Sequence, residues 1–265
     1  MAEFTIQVIS SEGNVLIEKT NENRLVAVYK EAYNEGDKIV LKCSEKNVFA
    51  LIQLDDAMNE EFVYFTSGEM TFDVPFGEKK YPYSPKSFTG EKHVISARLA
   101  TATEIKNEKN LARNCYDQHA EVGLYPHAHA NVETRGESVF AAKNAINGNT
   151  ANEGHGIWPY ESWGINMQDD AEITLEFGRE VLINRIVLVT RADFPHDNYW
   201  QHVTFTFSDG TEYVFDMEKS YEPHECILPE AKKVSWIKLG KLIKDPEDPS
   251  PFPALTQFEV YGVEA

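Results

Sequence analysis

The sequence predicts an all-β fold of two β-sandwich, jelly-roll domains packed together, residues 1–100 and 101–265. Three observations predict it. Short segments alternate apolar and polar residues and end in Gly, Asp or Ser turn signals. Helical periodicity is almost absent. The strand-like segments form two sets of similar size on either side of residue 100, with no Gly/Ser-rich linker between them, so the halves are expected to pack rigidly. At 42% hydrophobic and 12% aromatic, the 265 residues can bury a sizeable core.

In the first set, Phe4–Ser10, Asn14–Ile17 and Lys38–Leu41 alternate cleanly. Leu25–Tyr33 reads as strand in preference to a short helix. Val48–Leu54, Phe62–Phe65 and Met70–Val74 are β-branched or aromatic, with turns at Gly36-Asp37, Asp55-Asp56 and Ser67-Gly68. The Pro-rich run 75–90 reads as a loop that packs through Phe76, Tyr81, Tyr83 and Phe88, and Val94–Leu99 closes the unit. Thr101–Asn114 is the best helical candidate. Strands then recur at Ala171–Phe177, Ile183–Thr190, His202–Phe207, Glu212–Asp216, Trp236–Leu239 and Phe258–Tyr261, with a hairpin signal at Asp209-Gly210. Trp236 sits inside an alternating strand and is expected in the core.

The formal charge is −18, split as 11 basic against 16 acidic residues up to residue 100 and 14 against 27 beyond it. No basic stripe exists to meet a nucleic-acid backbone, which excludes that partner class. No apolar run approaches the roughly 18 residues of a membrane span. The N-terminal MAEFTIQVIS lacks a basic segment followed by an apolar one, so as written the chain reads as a soluble cytoplasmic protein, extracellular if a leader was trimmed. Cys43, Cys115 and Cys226 are odd in number and far apart, which argues against a disulfide framework or a CxxC metal site. GxSxG, Walker, Rossmann and HExxH patterns are all missing, so an enzyme is not favoured.

From about Asn131 to the end, an ordered set of segments resembles the discoidin, or coagulation-factor type C, family of galactose-binding-like carbohydrate-binding modules. The segments are Asn144 with Ala145–Asn149, then Ala171–Gly178, Ile183–Val189, Phe207–Gly210, Val234–Leu239 and Ala254–Gly262. The resemblance implies an eight-stranded sandwich that binds sugars, lipids or proteins through loops at one end and is seldom catalytic. It also implies a structural calcium ion held partly by an aspartate and a glutamate. Those two positions here are Asn147 and Gln257. Amides lack the anionic oxygen that calcium favours, so no cofactor is expected, and the pair is expected to brace its loop by hydrogen bonding.

In that family fold, the loops after Asn149 and after Val189 share one end of the sandwich. This would gather His155, Trp158, Tyr160 and Trp163 near Arg191, Asp193, His196, Asp197 and Trp200. An aromatic ring stacks on the apolar face of a pyranose while Arg, Asp and His bond its hydroxyls. Trp158 or Trp200 would be the platform, and Arg191 and Asp193 the hydroxyl readers. The expected partner is a carbohydrate or glycoconjugate, with self-association possible. The same residues also permit blander roles, Trp163 as core and Arg191–Asp193 as a loop-pinning salt bridge.

Two other readings stay open. His127 and His129 share a strand face and, with His119, His155 or His196 and acids such as Glu133, would suit a transition metal serving an enzyme on a sugar-like substrate. Alternatively, one sandwich covers the loops of the other or of a second copy, as an interaction module.

Overall fold

The computed structural model describes residues 2–120, 123–191 and 197–265, and it is nearly all β. The first part of the chain supplies β1 (Glu3–Ile9), β2 (Val15–Glu22), β3 (Arg24–Tyr29), β4 (Lys38–Cys43), β5 (Val48–Gln53), β6 (Glu61–Phe65), β7 (Glu69–Asp73) and β8 (His93–Leu99). After the short helix α1 (Ala102–Lys106) come β9 (Lys109–Asn110), β10 (Leu124–Tyr125), β11 (His127–Ala130), β12 (Trp163–Gly164), β13 (Ile173–Thr190), β14 (Trp200–Phe207), β15 (Glu212–Asp216), β16 (His224–Lys244) and β17 (Ala254–Glu264).

Sheet β2-β1-β4-β7 faces sheet β10-β6-β5-β8-β3 across a core of Phe4, Ile6, Val8, Ile39, Leu41, Ile52, Phe65, Phe72 and Ile95. Alternation builds it: β1 and β3 each bury every second residue. Loop 75–90 buries Tyr83 and Phe88, with Phe88 stacked on Phe72 at 5.4 Å, while Tyr81 stays exposed and does not pack as expected.

The second core lies inside a sheet ordered β12-β17-β13-β16-β14-β15, with β11 on β13 and β9 on β17. Ala171–Phe177 and Ile183–Thr190 were expected as separate strands, yet β13 runs through both. Its register shifts between Glu176 and Val181, where Gly178 takes φ +68°, so the strand bends and serves both layers of the sandwich. β16 bends in parallel, its Trp236–Leu239 end pairing the first half of β13 and its His224–Val234 end the second.

Two expectations are corrected. The helix covers only Ala102–Lys106. A capping box between Thr101 and Glu104 starts it, but Lys109 and Asn110 pair with β17 and Leu111 and Ala112 enter the second core, which extends the chain. Trp236 is only half-buried. It lies opposite Glu176, while Val234, Ile237 and Leu239 fill the interior.

Beyond residue 110 the chain also serves the first core. Tyr116 and Leu124 are buried there, and β10 pairs with β6. Among the described residues no helix is long and apolar enough to cross a membrane.

Candidate functional site

The predicted site residues divide between core and two hollows. Trp163 and Trp200 are wholly buried in the second core, and Trp163 donates its indole N–H to Val132 O at 2.9 Å. Trp200 therefore offers no ring face to a ligand, which corrects its reading as a platform. β14 starts two residues earlier than expected and carries this side chain inward with Val203, Phe205 and Phe207. Asp193 and His196 lie outside the described residues.

Arg191, at the end of β13, is buried against Asp197. Its Nε donates to Asp197 Oδ2 at 2.6 Å and its Nη2 to Oδ1, a two-pronged grip that fixes the guanidinium plane. The neighbouring Asn198 fastens a second loop, with its amide donating to Asp245 O at 3.0 Å and Ser250 O at 2.8 Å. That loop leads into Phe252 and Pro253. Arg191 N also donates to Ala254 O at 3.0 Å. Asp197-Asn198 thus holds both Arg191 and the Phe252 segment.

Between them opens a cleft of about 190 Å³, lined by Arg191, His155, Phe252, Arg135, Asn166 and Met167 among others. His155 and Phe252 are exposed on it. Arg135 is paired with Glu137, its Cζ 5.7 Å from the Phe140 ring centroid. Arg135, Asn166 and Met167 have φ of +53°, +51° and +60°. Three non-glycine residues held left-handed around one cleft mark backbone strain of about 1–3 kcal/mol each. Thr134 helps to hold it, accepting from Asn166 N at 3.0 Å. Gly164 is required beside it, because a Cβ there would meet Thr134 Oγ1 at 2.5 Å.

Of the described residues in the predicted set, the structure brings only His155 and Arg191 to this cleft. Tyr160 packs over Gly154, leaving 3.0 Å for any Cβ there. Trp158, 41% exposed, faces away into a separate cavity against the first half, where its backbone N–H donates to Tyr81 O at 2.8 Å.

Comparison with known proteins adds a structural likeness. No protein-family model matches this chain, nor does any curated protein. Solved structures do. The family 32 carbohydrate-binding module of C. perfringens NanJ in complex with galactose aligns at 16% identity and TM-score 0.42, over 58% of this chain and 99% of that one. The lectin domain of lectinolysin complexed with Lewis B antigen aligns at 18% and 0.44, over 59% and 98%. Chitosan-binding module 1 of a chitosanase/glucanase from Paenibacillus sp. IK-5 aligns at 19% and 0.41, over 58% and 99%.

The histidines do not gather around one point among the described residues. His127 Nδ1 bonds Asp117 Oδ1 at 2.8 Å in the interior, and His119 Nε2 bonds Glu133 Oε2 at 2.7 Å. The His127 and His129 rings stack at 5.8 Å, but His129 points to the surface. The one described group with metal-like spacing is Asp55, Asp56 and His93. It is occupied by the backbone: Asp55 accepts from Ala57 N and Phe88 N, Asp56 from Val94 N, and His93 Nε2 meets Gly90 O.

Asn147 and Gln257 do not fit calcium. Gln257 Nε2 lies 2.9 Å from Asn144 O and 2.9 Å from Asn147 Oδ1, so N–H protons meet the oxygens that would face a cation. Gln257 Oε1 in turn accepts from Gly148 N at 2.9 Å. The thiols are quiet as well: burial pushes Cys226 up to about 11 and Cys115 well above its ordinary range.

Phe252, Arg135, Asn166 and Met167 were missed. Phe252 sits in the run Pro246–Pro253, which carries no periodicity, and left-handed φ at Arg135, Asn166 and Met167 leaves no mark in composition.

Proposed function

We propose that this chain is a non-catalytic carbohydrate-binding protein whose site is the Arg191 cleft at the loop end of the second sandwich. One observation carries the reading: an exposed aromatic ring, Phe252, and a guanidinium immobilised by Asp197 line the same small hollow as His155. A sugar presents an apolar C–H face and an edge of hydroxyls. Phe252 suits the face, while Arg191, His155 and Asn166 suit the edge. The strained loops support the reading too, since strain persists where surrounding structure holds a shape in place for function. At about 190 Å³ the cleft is smaller than the ~300–1,000 Å³ hollows that take drug-sized ligands, and it suits one terminal ring.

Glycan-array screening followed by calorimetry with the best monosaccharide tests this. Phe252→Ala is expected to weaken binding at least tenfold with the melting temperature unchanged, because the ring is exposed. Unaltered affinity in Phe252→Ala and in His155→Ala would overturn the assignment of the cleft.

A further inference from the structure

We infer that a second, separate site for a neutral saccharide ring lies where the two halves meet, built around Trp158 and the buried Glu161. The cavity there holds about 470 Å³, and segments far apart in sequence line it: Met58 and Asn59, Tyr83 to Ser87, Asn147 to Asn149, and Trp158 with Glu161.

Two of its lining side chains carry buried polar atoms without a hydrogen-bond partner. Glu161 is 2% exposed and Ser87 is 1% exposed, and neither Glu161 Oε2 nor Ser87 Oγ is bonded. Such orphans are rare because each forfeits about 1–3 kcal/mol of solvation. The other Glu161 oxygen is held firmly, accepting from Asn147 Nδ2 at 2.7 Å and Asn149 Nδ2 at 3.0 Å. The carboxylate is therefore positioned, with one oxygen left over.

The rest of the lining narrows the ligand class. Lys86 and Lys143 balance Asp117 and Glu161, so the cavity selects no net charge. Asp117 is already engaged by His127 Nδ1 and Ala128 N. Lys143 Nζ donates to the Tyr83 hydroxyl at 3.1 Å. What stays available on the cavity surface is an apolar face from Trp158 and Met58, with the unbonded Glu161 Oε2 and Ser87 Oγ covered beside it. A polyhydroxylated ring suits this lining: its C–H face lies on the indole, and a small rotation of each covered side chain would let one hydroxyl donate to Glu161 and another accept from Ser87. Burial raises the Glu161 pKa, against the pull of the Asn149 and Asn147 bonds, which matches a carboxyl withdrawn from water.

Galactose, glucose, mannose, N-acetylglucosamine and lactose, titrated into the full chain, test the site through tryptophan emission, since Trp158 is the one exposed indole of four. At least one sugar is expected to give a saturable change. Trp158→Ala should abolish it. Ser87→Ala should weaken it at least fivefold without lowering the melting temperature, because Ser87 Oγ bonds nothing in the fold. Phe252→Ala should leave it intact. A response lost in Phe252→Ala and kept in Ser87→Ala would overturn the junction site while leaving the Arg191 cleft standing. No emission response to any of the five sugars would also overturn it, and calorimetry on Phe252→Ala reads the cleft independently.

Discussion

At the scale of the residue, the amides of Asn147 and Gln257 decide how the Asn144–Asn149 turn is held. Gln257 reaches it from β17, more than one hundred positions away, and binds through both ends of its amide. A carboxylate at position 257 would set anionic oxygen against Asn144 O and Asn147 Oδ1, and only a cation would relieve that repulsion. Gln257→Glu is accordingly expected to lose about 2 kcal/mol in calcium-free buffer, within the range for a buried polar group facing the wrong partner. For the unaltered protein, calcium or a chelator should move the melting temperature by less than a degree, and a rise of several degrees with calcium would refute the amide reading. This pairing was legible in the sequence through the resemblance, which marked Asn147 in its turn and Gln257 near the C-terminal strand as neighbours. The two-pronged grip of Asp197 on Arg191 was not. Two aspartates follow Arg191 within six residues, and nothing local in the sequence singles out this bond.

At the scale of the element, strand existence was readable while strand continuity was not. Alternation located almost every strand, since period-two burial is a local property. Local pattern could not show that β13 and β16 run on through apparent turns, because an 18-residue strand that bends at Gly178 looks like two strands and a loop. The helix at Thr101–Asn114 failed for the opposite reason: its helical propensity was overridden by pairing with β17 and burial in the second core. The bend has a second glycine-dependent point. Gly262 in β17 lies opposite Ile183, and a Cβ on it would come 2.1 Å from Leu182 O and 2.8 Å from Ile183 Cα. Both obstacles are backbone, so no side-chain rotation can relieve the clash. Gly262→Ala is therefore expected to destabilise by about 3 kcal/mol, the upper part of the overpacking range, as read from the urea midpoint. A loss under 0.5 kcal/mol would mean that the two strands separate there without resistance.

At the scale of the whole molecule, the segment after α1 adds polar contacts to the apolar ones that Tyr116 and Leu124 make with the first half. Tyr116 OH donates to Asn59 O at 2.7 Å, and Arg113 Nε donates to Glu61 Oε1 at 3.1 Å. Arg113 also lies against Gly148, where a Cβ would meet its Nε at 2.9 Å, so one guanidinium touches β6 and the Asn144–Asn149 turn together. Glu61 is buried, and burial raises its pKa while Arg113 pulls it back down. Removing Arg113 leaves the ionised form of Glu61 without that compensation, and the Glu61 pKa rises further. With a carboxyl raised in the folded state, the stability at stake is present below the unfolded pKa, near 4.5, and is lost as pH climbs through the folded value. Arg113→Ala should then lose about 3 kcal/mol at pH 7, the lower end for a broken buried pair, since Arg113 itself is partly exposed. The deficit relative to the unaltered chain should shrink at pH 4, below the unfolded pKa of Glu61. Denaturant titrations of both proteins at the two pH values separate the cases. An equal deficit at pH 7 and pH 4 would mean that Arg113 contributes through packing against Gly148, with its charge irrelevant to the junction.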